Sequence, residues 1–219
     1  MILKNIKTAI FLMVLFLFSN QFLAQKKVFN GNPDTAFKTA RELAFNGKRA
    51  QAQDSLRFIL TSYPNYLDIR AFLASTYSWD GSYAKARKEF KYVLDKDKER
   101  KTDWIAYIKN EQYAEKYYKA LEQSQKALKI FPNDPDLLQL KAKSQLNSGN
   151  REDALRTIKG ALISHPENEE LNNYKKSLEG DINFNTIGIG FFTDYYDFDS
   201  DNGRANMYYS SLSLSLIHI

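Results

Sequence analysis

Four alanines, Ala52, Ala86, Ala120 and Ala154, stand 34 residues apart, and other features keep step with them. Gly47, Gly81 and Gly149 precede three of them by five residues, and Pro64, Pro132 and Pro166 follow three by twelve. Ala40, Ala74 and Ala142 hold the same register, with Ile108 in the odd repeat. A fixed period of this length predicts stacked helix pairs, each able to bury its apolar face only against a neighbour. Such arrays bind partners and seldom catalyse.

The chain begins with the pattern of an export signal. Lys4 and Lys7 are followed by a short apolar core, Thr8 to Phe18, and Ala24 offers a small residue for cleavage. That core is shorter than the roughly 20 residues a membrane-spanning helix needs. Residues 1–24 are therefore read as a signal peptide, the alternative being an uncleaved N-terminal anchor, and 25–32 as a linker. The 219 residues include no cysteine, which excludes disulfides, thiolate metal sites, thiol nucleophiles and a lipidated cysteine. Residues 25–180 carry 28 basic and 21 acidic side chains, whereas 181–213 carry one basic and five acidic. A mildly basic array beside an acidic tail suits an anionic partner or an envelope surface, and is too weakly basic to argue for nucleic acid.

Each repeat reads as two helices: Pro33–Asn46 with Arg49–Tyr63, Leu67–Trp79 with Tyr83–Leu94, Thr102–Ala114 with Lys116–Phe131, and Asp136–Asn147 with Arg151–Ser164. The small residues allow close helix approach, while Leu56, Phe90 and Ile158 fill the space between pairs. This pattern resembles tetratricopeptide repeats, in four copies over residues 33–166. Trp104 sits where that family often has tryptophan, and TYSWDGSYAKARKEF and LNSGNREDALRTIKGALISHP lie close to its consensus. Two departures stand out. The second repeat ends in the charged run Asp95–Lys101 without proline, and the third has Glu115 where the others have glycine. Both predict a softer joint between the second and third repeats. Residues 167–180 form an amphipathic segment, read as the polar helix that caps such an array.

The period then falls to two. Asn183–Thr193 and Met207–Ser213 alternate like strands, and with the connection Asp194–Asn206 they predict a hairpin within residues 181–213. Apolar residues alternating with small or polar ones, and aromatics near the ends, also describe an outer-membrane barrel strand. The last six residues, LSLIHI (214–219), read as the translation of a transposase adapter used in sequencing libraries, hence as a cloning scar. The order of parts, with NTIGIGFFTDYYDFDSDNGRANMYYSSLSLS, resembles the start of the barrel in the YaiO family of outer-membrane proteins. The expected fold is thus an all-helical tetratricopeptide solenoid followed by the first β-hairpin of an outer-membrane β-barrel.

First helices line the concave face of a helix-pair solenoid. Their residues off the packing face are Arg41, Lys109 and Lys143, with Ser75 in the remaining repeat. One turn later come Phe45, Trp79 and Tyr113, with Asn147 fourth. Two such rows could pair with carboxylates and stack on sugar rings or aromatic side chains, or could be a solvated face with aromatics packed between repeats. Asp197, Asp199 and Asp201 before Gly203 invite a calcium reading. The EF-hand version fails because Asn202 and Tyr208 stand where glycine and glutamate are required, which leaves a looser calcium loop or a hydrated hairpin loop. His165 has no acid or nucleophile set to work with it and reads as structural.

With no phosphate loop, metal spacing or catalytic constellation, the chain reads as a non-enzymatic protein without a cofactor. The resemblance to YaiO implies an exported protein with periplasmic repeats joined to the outer membrane. Its expected partners are periplasmic or outer-membrane proteins, or an anionic or glycan ligand. Exopolysaccharide export porins share the layout, an analogy of architecture only. The alternative is a soluble periplasmic adaptor without a barrel.

Overall fold

The computed structural model describes residues 28–180 with their side chains, together with the backbone of 188–198 and 205–215. Residues 1–27, which include the expected signal peptide, and residues 181–187, 199–204 and 216–219 lie outside the described residues. The chain divides into two compact units, Met1–Ile69 and Arg70–Ile219.

In the first unit, α1 (Pro33–Phe45) packs against α2 (Arg49–Ile59), with Ala40 and Ala52 fully buried. Asn32 caps α1, its side chain accepting from the N–H groups of Asp34 and Thr35, and Pro33 supplies a first-turn residue that needs no donor. Helix α2 stops at Ile59, earlier than the expected Tyr63. Its last residues turn back on themselves, Thr61 and Ser62 donating N–H to the carbonyls of Phe58 and Ile59. Their hydroxyls hold the backbone of Phe29, whose N–H donates to Thr61 Oγ1 at 3.2 Å and whose carbonyl accepts from Ser62 Oγ. The Phe29 ring meets Phe58 and Tyr63 edge-on at 5.6 and 6.2 Å. Phe29, within the expected linker, is thereby held against α2 and the residues that follow it.

Helix α3 (Leu67–Trp79) begins in the last residues of the first unit, and the second unit holds the rest of it with α4 (Tyr83–Lys96), α5 (Lys101–Tyr113), α6 (Tyr117–Ile130), α7 (Pro135–Asn147), α8 (Arg151–Ser164) and α9 (Glu169–Gly180). Each helix from α4 to α8 packs on the next, and α5 also touches α7, one repeat apart. Ala74, Ala86, Ala120, Ala142 and Ala154 are fully buried, as the 34-residue register requires. Phe90 and Ile158 are buried as expected, but Ser124 fills their phase in the third repeat, where Ile108 also replaces the usual alanine. Bulk and smallness are exchanged within that one repeat.

Helix α9 begins 34 residues after α7 and is capped by Asn168, whose side chain accepts from Leu171 N–H at 3.0 Å. Leu171 and Leu178 bury against Ala142, Ala154, Ile158 and Ala161. At the phase where the other repeats place a buried alanine or isoleucine, α9 carries exposed Lys176. An exposed lysine at that phase does not suit close approach of a further helix, in keeping with the polar cap expected of this segment.

The strands β1 (Gly188–Phe198) and β2 (Ala205–Ser215) pair antiparallel, with Gly188 opposite Ser215 and Phe198 opposite Ala205. The expected connection Asp194–Asn206 is corrected here, since Asp194–Phe198 pairs with Ala205–Tyr209. Tyr195, Tyr196 and Phe198 are strong strand formers, and they outweigh the aspartates among them. Leu214 and Ser215, assigned to the scar, fall within β2. No helix among the described residues is long and apolar enough to cross a membrane.

Gly47, Gly81 and Gly149 adopt positive φ of 79°, 71° and 85° after a first helix, and Glu115 holds the same left-handed place at 58°. A Cβ at any of the three glycines would meet nothing within 4 Å, so the residue preference is conformational. Glu115→Gly is expected to stabilise the protein by about 1 kcal/mol, less the entropy glycine adds to the unfolded chain. Gly81→Ala should destabilise it by a similar amount. Urea midpoints of both variants check the pair, and a Glu115→Gly variant no more stable than the parent would contradict it.

Candidate interaction face and a buried polar seam

First helices present their exposed side between helix ends fixed by caps and turns. In the first unit, Arg41 and Phe45 lie one turn apart on α1 and both are exposed, with the Arg41 guanidinium 5.8 Å from the centre of the Phe37 ring. In the second unit, Lys109 and Tyr113 on α5 are exposed, as are Lys143 and Asn147 on α7. Because α5 and α7 touch, these two pairs are neighbours one repeat apart. Gln112 fixes their register, donating through Nε2 to the Leu140 carbonyl and to Ser144 Oγ, each at 2.9 Å. Trp79 closes α3 at 47% exposure, its indole set edge-on to Phe72 at 5.8 Å. Phe45, Trp79 and Tyr113 therefore present ring surface to solvent. Ser75, the fourth member of the cation row, donates to the Ala71 carbonyl and is half-buried.

Behind this face lies a polar cluster that sequence reading missed. Glu111 on α5 is fully buried and receives Arg87 of α4 in a two-pronged pair: Nε at 2.8 and 3.0 Å from the two carboxylate oxygens, Nη2 at 2.7 Å from Oε2. Asn110, also fully buried, donates to Glu111 Oε1 at 3.0 Å and to the Tyr83 carbonyl at 3.3 Å, leaving its own Oδ1 unpaired. Burial, then the nearby Glu111 carboxylate, holds the Tyr107 hydroxyl firmly protonated. Lys116 is pushed below the usual lysine range by burial first and by the Arg87 and Lys119 charges second. The missed signal was one of phase. Glu111 occupies the place held by Leu43, Tyr77 and Gln145, and a carboxylate there is an oddity visible on aligning the repeats.

The remaining candidates are placed as follows. His165 Nε2 lies 2.7 Å from the Asn133 carbonyl, which can only accept, so the ring donates there and ties two successive inter-repeat loops. Lys101 and Asp134 make a similar tie at 2.8 Å, and that hydrogen bond is the main reason Lys101 titrates above the usual lysine range. Asp197 belongs to β1, opposite Asn206, while Asp199, Asp201 and Gly203 lie outside the described residues. Among the described residues no group of His, Asp or Glu is arranged to hold a metal ion.

Helix pairs at a 34-residue period, joined by left-handed turns and closed by a polar helix, define the tetratricopeptide type of fold. Comparison with known proteins agrees. The sequence model of the tetratricopeptide repeat matches residues 112–178. The solved structure of MamA (41 to end) from Desulfovibrio magneticus RS-1 is similar at a TM-score of 0.58 and 14% identity, covering 68% of this chain and 85% of that one. MamA AMB-1 is similar at 0.55 and 18% identity, covering 77% and 93% respectively. A tetratricopeptide repeat protein from Parabacteroides merdae ATCC 43184 reaches 0.59 at 13% identity, covering 68% of this chain and 61% of that one. No match is found among curated proteins. At such identities the likeness to solved structures establishes the fold alone.

The two tryptophans differ in environment: Trp104 is buried and donates Nε1–H to the Lys98 carbonyl at 2.8 Å, whereas Trp79 is half-exposed. Acrylamide should quench the Trp79 emission strongly and that of Trp104 several-fold less. A Trp79→Phe variant reports Trp104 alone and should emit at shorter wavelength. Equal quenching of parent and variant would contradict the exposure assigned to Trp79.

Proposed function

We propose that the helical array is a protein-interaction scaffold, whose partner rests on the exposed face of its first helices and is recognised there through carboxylates and aromatic or sugar rings. The observation that carries this reading is the neighbouring set Lys109, Tyr113, Lys143 and Asn147 on α5 and α7, exposed and repeated at one register. A lysine and an aromatic ring side by side suit an anionic group next to a flat apolar one. The repeating spacing suits an extended ligand contacted at intervals. Trp79 adds another ring on α3, and the first unit by itself carries a similar cation and ring, Arg41 and Phe45, on α1.

The wider reading is an exported protein with its repeats in the periplasm and its strands opening an outer-membrane barrel, serving polysaccharide export or surface assembly. Its support is the apolar N-terminal core, the acidic tail and the alternation that resembles YaiO. A soluble periplasmic adaptor is the second reading. What favours it is α9, whose exposed Lys176 ends the helical packing without calling on the strands. Detergent-dependent extraction and heat-modifiable migration of the full-length product would support the barrel; recovery in the soluble fraction would support the adaptor.

Reversing both lysines, Lys109→Glu with Lys143→Glu, should weaken an acidic partner roughly tenfold, and binding to the unaltered protein should fall as salt rises. Trp79→Ala plus Lys109→Glu should weaken partners or glycans that also stack. Calorimetric titration with a partner recovered on the immobilised protein provides the measurement, circular dichroism verifying that the helices persist. Unchanged affinity in both variants would remove this face from the binding site.

A further inference from the structure

We propose that the α4–α5 seam is a hinged joint latched by the buried Arg87–Glu111 pair, so that the second unit opens locally there before it opens elsewhere. The two helices run antiparallel, and their contact differs at its two ends. Near the 97–100 connection it is apolar and tied: Phe90 stacks on Tyr107 at 5.9 Å, and Trp104 Nε1 donates to the Lys98 carbonyl. At the far end the same two helices meet through Arg87, Asn110 and Glu111. One end is a pivot, the other a mouth.

Four local costs converge on this repeat. The Glu111 carboxylate has been removed from water, and its attraction to Arg87 must offset that desolvation. Asn110 Oδ1 is buried without a partner, a state that costs free energy throughout the closed form and is relieved on opening. Glu115 keeps a left-handed backbone that the other three repeats assign to glycine. Ser124 removes the large side chain that Phe90 and Ile158 supply in the flanking repeats. In a stack stabilised by nearest-neighbour interfaces, the costs borne by Asn110 and Glu111 lower the α4–α5 interface itself, while those at Glu115 and Ser124 fall on the α5–α6 pair that closes against it. The Arg87 side chain remains 22% exposed, so water has a path to the guanidinium once the mouth parts. Opening about the aromatic pivot would change the angle between α4 and α5, and with it the spacing between the first helices on either side.

The test is hydrogen exchange on the full chain, read by mass spectrometry, in the parent, Glu111→Gln, and the double variant Arg87→Met/Glu111→Leu. The latch predicts that Glu111→Gln accelerates exchange at least tenfold in peptides from 83–94 and 104–114, with α8 and α9 changed less than twofold. The double variant removes both charges at similar volume and should return those peptides to within about threefold of the parent. Three results would overturn the proposal: no acceleration in Glu111→Gln, equal acceleration in every helix, or a double variant as fast as the single one. Should Glu111→Gln fail to fold, the double variant alone decides. Protection more than about threefold below the parent's in α4 and α5 would refute a latch made by charge pairing, and protection within that range or above it would sustain it.

Discussion

Close approach of helices at buried alanines is the contact on which the rest of the structure depends. Ala86, Ala120, Ala142 and Ala154 have no exposed surface in the second unit, nor have Ala40 and Ala52 in the first. A methyl is the largest group that lets two backbones come so near, and each such site leaves room for larger neighbours to interlock. Because every helix pair repeats the same arrangement, the side opposite the contact repeats too. The register that packs the core also spaces Lys109 from Lys143 and Tyr113 from Asn147.

The third repeat shows how such a register tolerates exceptions. Ile108 stands where the other repeats have alanine, and Ser124 where they have a large apolar residue. Both are fully buried, so added and removed volume occur together in one repeat. Polarity does not cancel as easily as volume. A lone carboxylate in that interior would be very costly, which is why Glu111 comes with a two-pronged arginine from the preceding repeat. The expectation of a softer joint came from the charged run and the missing glycine. The structure adds that the run itself is tied down, Asp97 Oδ1 accepting from Glu99 N–H at 3.0 Å and Arg100 pairing with Asp103. Whatever freedom the region has is thus displaced from the connection to the polar end of the seam.

Helices were legible in the sequence because glycine, proline and alanine mark a 34-residue period three times over. Arg151–Ser164 and Leu67–Trp79 coincide with α8 and α3. Ends set by side-chain capture were not legible. Helix α2 stops at Ile59 because Thr61 and Ser62 hold Phe29, 32 and 33 residues away, and no local propensity encodes such a tie. The exposed residues of the candidate face followed from helical phase, whereas the Arg87–Glu111 pair joins adjacent repeats and becomes visible only once they are stacked. The strand boundaries failed for a simpler reason: aspartate was read as loop even where the aromatic residues beside it, Tyr195, Tyr196 and Phe198, favour extension.

The distribution of chemistry across the helices bears on what kind of work this protein can do. Second helices bury Ala86, Phe90, Val93 and Leu94 in α4, and Ala154, Ile158 and Ala161 in α8, and so act as the wall against which the first helices stand. Rings and cations that reach solvent on α5 and α7 are held on rigid elements whose spacing is set by Gln112 and Ser144 rather than by loops. The buried Glu111 carboxylate accepts three hydrogen bonds from Arg87 and one from Asn110, which suits a structural pair. A surface that offers spaced charge and flat apolar area on fixed helices is suited to holding an extended partner in register. A joint of lower stability within that surface would let the same register adjust to the length of what it holds.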